Sequence, residues 1–393
     1  MKRILLLLLA CMLVAAPMRA DEARFSLITC SPGDEAYSLF GHTALRYVDE
    51  ESGVDKVYNY GYFSFDTPNF VWRFILGQTD YLVASIPFEY FIPEYVERGS
   101  MVVEQVLNLT PSQVRSLYRL LEENCRLRNR VYRYNYFYAN CTTKARDKFL
   151  ESLGNGCSIV YMQPEVPLPT FREALRSMTA SHPWYSFGID LLMGSDVDEP
   201  ATPEQLQFIP ANLMKDLGNA CITDADGVSV PAVKKTNILA RENKPVATRN
   251  NLTPFNASLL LLLFTFIVML CELRSKRTFW GYDFVLMTVQ GLGGCLLLFM
   301  ALCSEHPAVD ANFVMLLVNP LALILMPFLI YRIIKHKSLQ IAWVQVAFVL
   351  LFFLSALLGL QCYPAPLYFC AAAILSRSLF HIYKERICEL NIV

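Results

Sequence analysis

The chain has 393 residues, 54% of them hydrophobic, and a formal net charge of -1. That length allows more than one domain. The balanced charge excludes the basic surface that nucleic acid requires and supplies no polybasic membrane patch.

Residues 1–20 read MKRILLLLLACMLVAAPMRA. Lys2 and Arg3 precede an apolar core, Ile4 to Ala16, that is too short for a comfortable span. Small residues follow, up to Ala20. This predicts a secretory signal removed after Ala20. Residues 21–242 then form one exported domain of ordinary size. Its segment HTALRYVDEESGVDKVYNYGYFSF predicts strand, turn and strand, with the turn at EESG. TPSQVRSLYRLLEENCR predicts a helix opened by Thr110 and Pro111. NRVYRYNYFYA has strand composition, which would set Tyr132, Tyr134, Tyr136 and Tyr138 on one face. TTKARDKFLESLGNG predicts a second helix, stopped by Gly-Asn-Gly. ITDADGVSVPAV predicts a hairpin turning at Asp226-Gly227. Mixed helices and strands give an α+β class.

Residues 243–256 read as a polar linker, and residues 257–393 as a membrane domain. Five spans are predicted, at about 257–273, 281–303, 313–331, 340–361 and 365–383. Arg274, Lys276 and Arg277 follow the first span, and Arg332, Lys335 and Lys337 follow the third. The loops SEHPAVDAN and QCYPAP carry neither Lys nor Arg. The positive-inside rule therefore puts the exported domain outside and the C-terminus in the cytoplasm.

Chemistry concentrates at YRYNYFYANCTTKARDKF, residues 132–149. Cys141 stands where a strand pattern gives way to a helix, with Asn140 in a capping position. A thiol at a helix N-terminus faces the positive end of the dipole, which favours the nucleophilic thiolate. The bland alternative is a small buried residue at a helix start, as most cysteines are. The exported domain holds Cys30, Cys125, Cys141, Cys157 and Cys221. An odd number leaves at least one thiol without an intrachain partner, while pairing among the others stays open. A thiol needs a base, and the exported domain offers only His42 and His182. His42 follows Gly41 at the start of a strand, where glycine permits close backbone approach. His182 sits in a proline-bounded loop. The chain has no His-Glu-x-x-His zinc helix, no Cys-x-x-Cys pair, no Gly-x-Ser-x-Gly elbow and no phosphate loop, so no metal or cofactor is expected.

The blocks ITCSPGDEAYSLFGHTALR, VYNYGYFSFDTPNF, YFYANCTTKARD and FGIDLLMGS, in that order over about residues 22–215, resemble the Lnb-type N-terminal periplasmic domain. The resemblance implies a circularly permuted papain-like (NlpC-like) fold, in which the histidine strand precedes the cysteine helix. It places the Gly-His of that strand on Gly41 and His42 and the Asn-Cys of the helix on Asn140 and Cys141. The polar group that orients the histidine falls on the next strand, where Asn59 is the candidate and Tyr58 and Tyr60 are rivals. Arg46, Arg146 and Asp147 fall in matching blocks and read as supporting residues. Ala139 stands where many relatives carry Asp. The implied activity is lipoprotein N-acyltransfer in the bacterial inner membrane. An acyl chain would move from phospholipid, through a Cys141 thioester, to the α-amine of a diacylglyceryl-cysteine lipoprotein. The aromatic stretches FVWRFILG and PFEYFIPEYV could wall that site from water, or be ordinary core. A cell-wall peptidase or amidase using the same pair, or a non-catalytic membrane-anchored binding protein, are the alternatives.

Overall fold

The computed structural model describes residues 23–162, 167–243 and 252–390. The expected signal segment and most of the expected linker lie outside the described residues. The exported half runs β1 (Arg24–Cys30), β2 (His42–Asp49), β3 (Val54–Tyr62), α1 (Phe70–Ile75), β4 (Asp80–Pro87), α2 (Phe88–Glu97), β5 (Val102–Leu107), α3 (Pro111–Cys125), β6 (Val131–Arg133) and α4 (Cys141–Leu153). It continues through β7 (Ser158–Val160), α5 (Phe171–Met178), α6 (Pro183–Leu192), α7 (Pro203–Leu206), α8 (Pro210–Gly218), β8 (Cys221–Thr223), β9 (Ser229–Pro231) and β10 (Val233–Ala240). Seven strands form one antiparallel sheet in the order β10-β5-β1-β2-β3-β4-β6, and β7, β8 and β9 form a small second sheet. It is a mixed α/β domain.

Period-two alternation sorts the strand residues between two cores. Phe25, Leu27, Leu45, Tyr58 and Tyr60 face α3 and α4, meeting Val114, Leu117, Leu121 and Phe149. Ile28, Cys30, Ala44 and Val57 face α2, under Phe91 and Tyr95. The hairpin between β2 and β3 closes with Asp49 opposite Val54, and the Asp49 carboxylate accepts from the N–H groups of Glu51 and Ser52. Thr110 caps α3 reciprocally with Gln113.

The tyrosine run does not hold one strand. Pairing stops at Arg133. The Asn135 side chain then accepts from the N–H groups of Phe137 and Tyr138 and closes a turn, a conformation that competes with the ladder. Tyr132 therefore packs toward Tyr60, Tyr134 stacks on Tyr81, and Tyr136 meets Phe40.

The C-terminal half comprises α9 (Pro254–Ser275), α10 (Trp280–Cys303), α11 (Leu321–Ile334), α12 (Ala342–Leu357) and α13 (Ala365–Leu390). Among the described residues, four segments are long and apolar enough to cross a membrane: Pro254–Ser275, Trp280–Cys303, Phe313–Ile334 and Ala365–Glu385. The span expected at 340–361 holds a shorter apolar helix. Its helix has 16 residues, about 24 Å of rise against a hydrocarbon core of about 30 Å. Gly359 turns the chain at φ 66°, and Gln361 and Cys362 are drawn up to the exported half. The span expected at 365–383 lies in the longest of these helices, of which 21 residues, Ala365–Glu385, are apolar enough to cross a membrane. Its polar end, with Arg377, His381 and Lys384, stays helical because Glu272 and Asp283 bond those side chains.

The block FGIDLLMGS is the docking surface between the halves. Asn312 donates to the carbonyl of Leu191, Gln361 to that of Met193, and the N–H groups of Gly194 and Ser195 donate to Ala308 and Ala311. Phe187, Leu191 and Leu192 pack on the membrane-half core around Leu317 and Phe352. These contacts fall on the two loops without Lys or Arg, the ones the charge pattern puts outside.

Arg172 stiffens this surface from beneath. Its side chain is buried and donates to Asp198 (2.6 Å), Asp190 (3.0 Å) and the Gly194 carbonyl (2.6 Å). Replacing Arg172 by Met is expected to cost about 3–5 kcal/mol, because two carboxylates lose their buried partner. A thermal melt of the full chain in detergent checks this, and an unchanged midpoint would contradict it.

Candidate active site

Cys141 opens α4 because Asn140 ends the preceding extended segment. The Asn140 carboxamide oxygen accepts from the N–H groups of Thr142 and Thr143, both at 2.9 Å, and Thr143 Oγ1 accepts from the Asn140 N–H. The amide nitrogen of Asn140 donates to the Tyr136 and Phe208 carbonyls, fixing the helix start against its surroundings. Thr43 and Thr142 join hydroxyl to hydroxyl at 3.2 Å, riveting α4 to β2 one residue beyond His42.

His42 is the first residue of β2. Gly41 leads in at φ 80°, and a Cβ there would lie 2.6 Å from the Cys30 carbonyl oxygen. Only glycine takes both the backbone angle and the contact. The His42 imidazole and the Cys141 thiol are electrostatically coupled, each shifting the other, and the His42 Nε2 lies 2.5 Å from the Asn59 carboxamide oxygen. With Nε2 donating to Asn59, Nδ1 is the nitrogen left for sulfur. Gly61, at φ 101°, breaks the alternation of β3 directly over the pair, 3.7 Å from the Cys141 Cβ and 3.9 Å from the His42 Cε1 when a Cβ is built on it. Tyr95 stacks on the imidazole, ring centroids 5.9 Å apart and planes 16° from parallel.

The electrostatics of the pair run in opposite directions. Burial pushes the Cys141 thiol up, but the His42 charge, its hydrogen bond, the Thr43 N–H and the Thr142 hydroxyl bring it down to about 7. Burial alone would push the His42 imidazole down. The facing thiolate and the bonds to Cys141 and Asn59 outweigh that, and the ring is raised. Cys30 and Cys125 move the other way under burial, Cys125 to about 11. The arrangement can hold a thiolate–imidazolium pair near neutrality, the form that attacks an acyl carbon. All five cysteines of the exported half are free.

Three expected residues are thus together: Cys141, His42 and Asn59. Gly41 and Asn140 hold them from behind. Tyr58 and Tyr60 are not at the site. Alternation turns them to the opposite face from Asn59, where their hydroxyls donate to Glu122 and Asn124. Arg46 bonds Asp55 and Glu104 and lies over the Phe88 ring. Arg146 bonds Asp147 and the Glu204 carbonyl. His182 bonds Ser181. Tyr95, Thr43 and Gly61 were not singled out in the sequence. The one local signal among them is the glycine interrupting VYNYGYF.

Removing the Asn59 bond is expected to weaken the charged ring by about 1.5–3 kcal/mol. The midpoint for alkylation of Cys141 by iodoacetamide should then rise by about 1–2 pH units in Asn59→Ala, since each unit is about 1.4 kcal/mol. Peptide mass spectrometry of the full chain, alkylated across pH 5–10, reads that shift. An unmoved midpoint would detach Asn59 from the pair.

A mixed α/β domain bearing a thiol–imidazole pair, seated on apolar helices, defines a membrane protein with a soluble working domain. The Lnb N-terminal periplasmic domain matches residues 14–176, and the Lnb transmembrane domain matches residues 246–386. Together they cover most of the chain, which belongs to the Lnb-type family, with its periplasmic domain followed by a transmembrane region. Comparison with curated proteins and with solved structures gave no match.

Proposed function

We propose that the chain is a lipoprotein N-acyltransferase of the bacterial inner membrane. The observation that carries the reading is the His42-paired thiol of Cys141 in a periplasmic domain docked on the ends of membrane helices. In this reading the signal occupies residues 1–20, the catalytic domain 21–242, the linker 243–256 and the multi-pass membrane domain 257–393, with the C-terminus cytoplasmic. The order of histidine strand and cysteine helix supports a permuted papain-like fold.

The reaction is ping-pong. The Cys141 thiolate attacks the carbonyl carbon of a phospholipid acyl ester. The carbon–oxygen bond breaks, His42 gives its proton to the departing oxygen, and lysophospholipid leaves a thioester behind. The N–H of Cys141 at the helix start donates to the oxyanion. The α-amine of a diacylglyceryl-cysteine lipoprotein then attacks the thioester, His42 takes its proton, and the amide forms as the thiolate is released. Asn59 and the stacked Tyr95 keep the imidazole facing the sulfur through both halves.

The test is mass spectrometry of a lipoprotein N-terminal peptide from a host without other N-acyltransferases. An amide-linked third acyl chain is expected with the wild-type chain and not with Cys141→Ala. A third chain with both proteins would remove Cys141 from the mechanism. Its absence from both, at normal expression, would sink the acyltransferase reading.

A further inference from the structure

β3 leaves the Cys141–His42 pair at Gly61, and the chain continues through Phe63, Phe65 and the exposed Asp66 into α1, whose apolar side chains have no core of their own. α1 buries none of its side chains. Val71 and Trp72 are 71% and 54% exposed, and Phe65 before them is 66% exposed. A contiguous apolar surface of this kind marks a docking or membrane site. The one cation of the helix, Arg73, turns back to Asp80 (2.7 Å) and the Gln78 carbonyl (3.1 Å), leaving the outer face apolar.

Two observations say what covers that face. First, α1 is pinned to the outer end of α10. Ser304 Oγ donates to the Ile75 carbonyl and the Glu305 N–H to that of Leu76, both at 2.8 Å, and His306 Nε2 bonds the Phe74 carbonyl at 2.6 Å. Trp72 lies against Phe299 of α10, ring centroids 5.1 Å apart. Leu302, one residue from the end of that helix, is 75% exposed. The tryptophan thus stands at the level where a spanning helix leaves hydrocarbon, the usual depth of interfacial aromatics. Second, the rings continue inward. Phe74 meets Phe70 (6.2 Å), Phe70 meets Phe63 (5.8 Å), and Phe63 stacks on Tyr81 at 4.9 Å and 16°. Phe63 is two residues past Gly61, which overlies the thiol, and the charge of Cys141 reaches the Tyr81 hydroxyl.

We propose that the segment Phe63–Leu76 is a lip lying in the outer interface of the bilayer, and that its row of rings receives a phospholipid acyl chain and leads it to Cys141. The second clause rests on the acyltransferase reading. The first stands without it. The lip also explains how a domain outside the membrane reaches an ester held at the bilayer surface. The chain never has to cross water, because an aromatic surface runs from interface to sulfur.

The full-length Cys141→Ala protein would be placed in nanodiscs with a phosphatidylethanolamine carrying a diazirine on its acyl chain, irradiated, digested and mapped. Label is expected on peptides containing Phe63–Phe74 as well as on lipid-facing membrane helices. Adding Phe65→Glu and Val71→Glu should lower the lip label at least about tenfold relative to the membrane-helix label, because a carboxylate resists entering hydrocarbon. The same two substitutions with Cys141 retained should leave its alkylation by iodoacetamide unchanged, which controls for folding. Label confined to membrane helices would overturn the lip, even if the wild-type chain acylates lipoprotein. Label on the lip of a protein that acylates nothing would keep the docking surface and discard the acyltransferase reading.

Discussion

In the His42→Ala protein, acyl transfer is expected to fall by about 10²–10⁴-fold, the usual worth of a positioned acid–base group. The pH dependence should change with it. In the wild-type chain the thiol sits at about 7 because the His42 charge and hydrogen bond outweigh burial. Activity should therefore rise with pH through about 7, as the thiolate forms. The raised imidazole keeps its proton over that range, and activity should fall once pH passes the histidine. Without His42, burial has no opposing cation. The acid limb should move upward, past the ordinary thiol value of 9.0, and the alkaline limb should vanish. Transfer measured from pH 5.5 to 10, with a thermal melt as fold control, separates the two effects. A slow enzyme whose acid limb stays near 7 would mean that His42 moves protons but does not set the thiol.

The part of this site legible in the sequence was the part fixed locally. An Asn-Cys step between extended and helical patterns carries its own cap, so Cys141 at a helix start could be read from residues 140–143 alone. The β2–β3 hairpin was equally local, since EESG and the flanking β-branched residues specify it. What could not be read depends on distant partners. Tyr95 reaches His42 from a helix far along the chain, and no local period announces it. Tyr58 and Tyr60 could have been set aside, because a strand that turns Asn59 to the site turns its neighbours away. The tyrosine run 132–138 misled for a related reason. Composition favoured a strand, and one asparagine side chain turned the backbone instead. In the membrane half, hydropathy found every helix but cut the last one short. It counts the charges of α13 against the span without knowing that Glu272 and Asp283 neutralise them.

That neutralisation carries a stability effect as large as any we expect. Arg377 bonds Asp283 twice, at 2.7 and 2.6 Å, and Glu272 at 2.7 Å. Glu272, Asp283 and Arg377 have side chains no more than 3% exposed. His381 also bonds Asp283, and Lys384 reaches Glu272. The cluster ties α13 to α9 and α10 at the helix ends away from the Cys141 site. Replacing Arg377 by Leu leaves two carboxylates sharing the weaker partners, which should cost about 3–5 kcal/mol and lower the melting midpoint in detergent by on the order of 10 °C. The decisive comparison is with Glu272→Gln and Asp283→Asn added to Arg377→Leu. If the penalty is the stranded charge, removing the carboxylates should restore most of the lost stability, a coupling that independent sites would not produce. If the triple variant melts no higher than the single one, the packing of the arginine stem holds these helices together and the charges are incidental. Because the cluster lies at the far ends of these helices from the Cys141 site, alkylation of Cys141 in the still-folded single variant should match the wild-type chain.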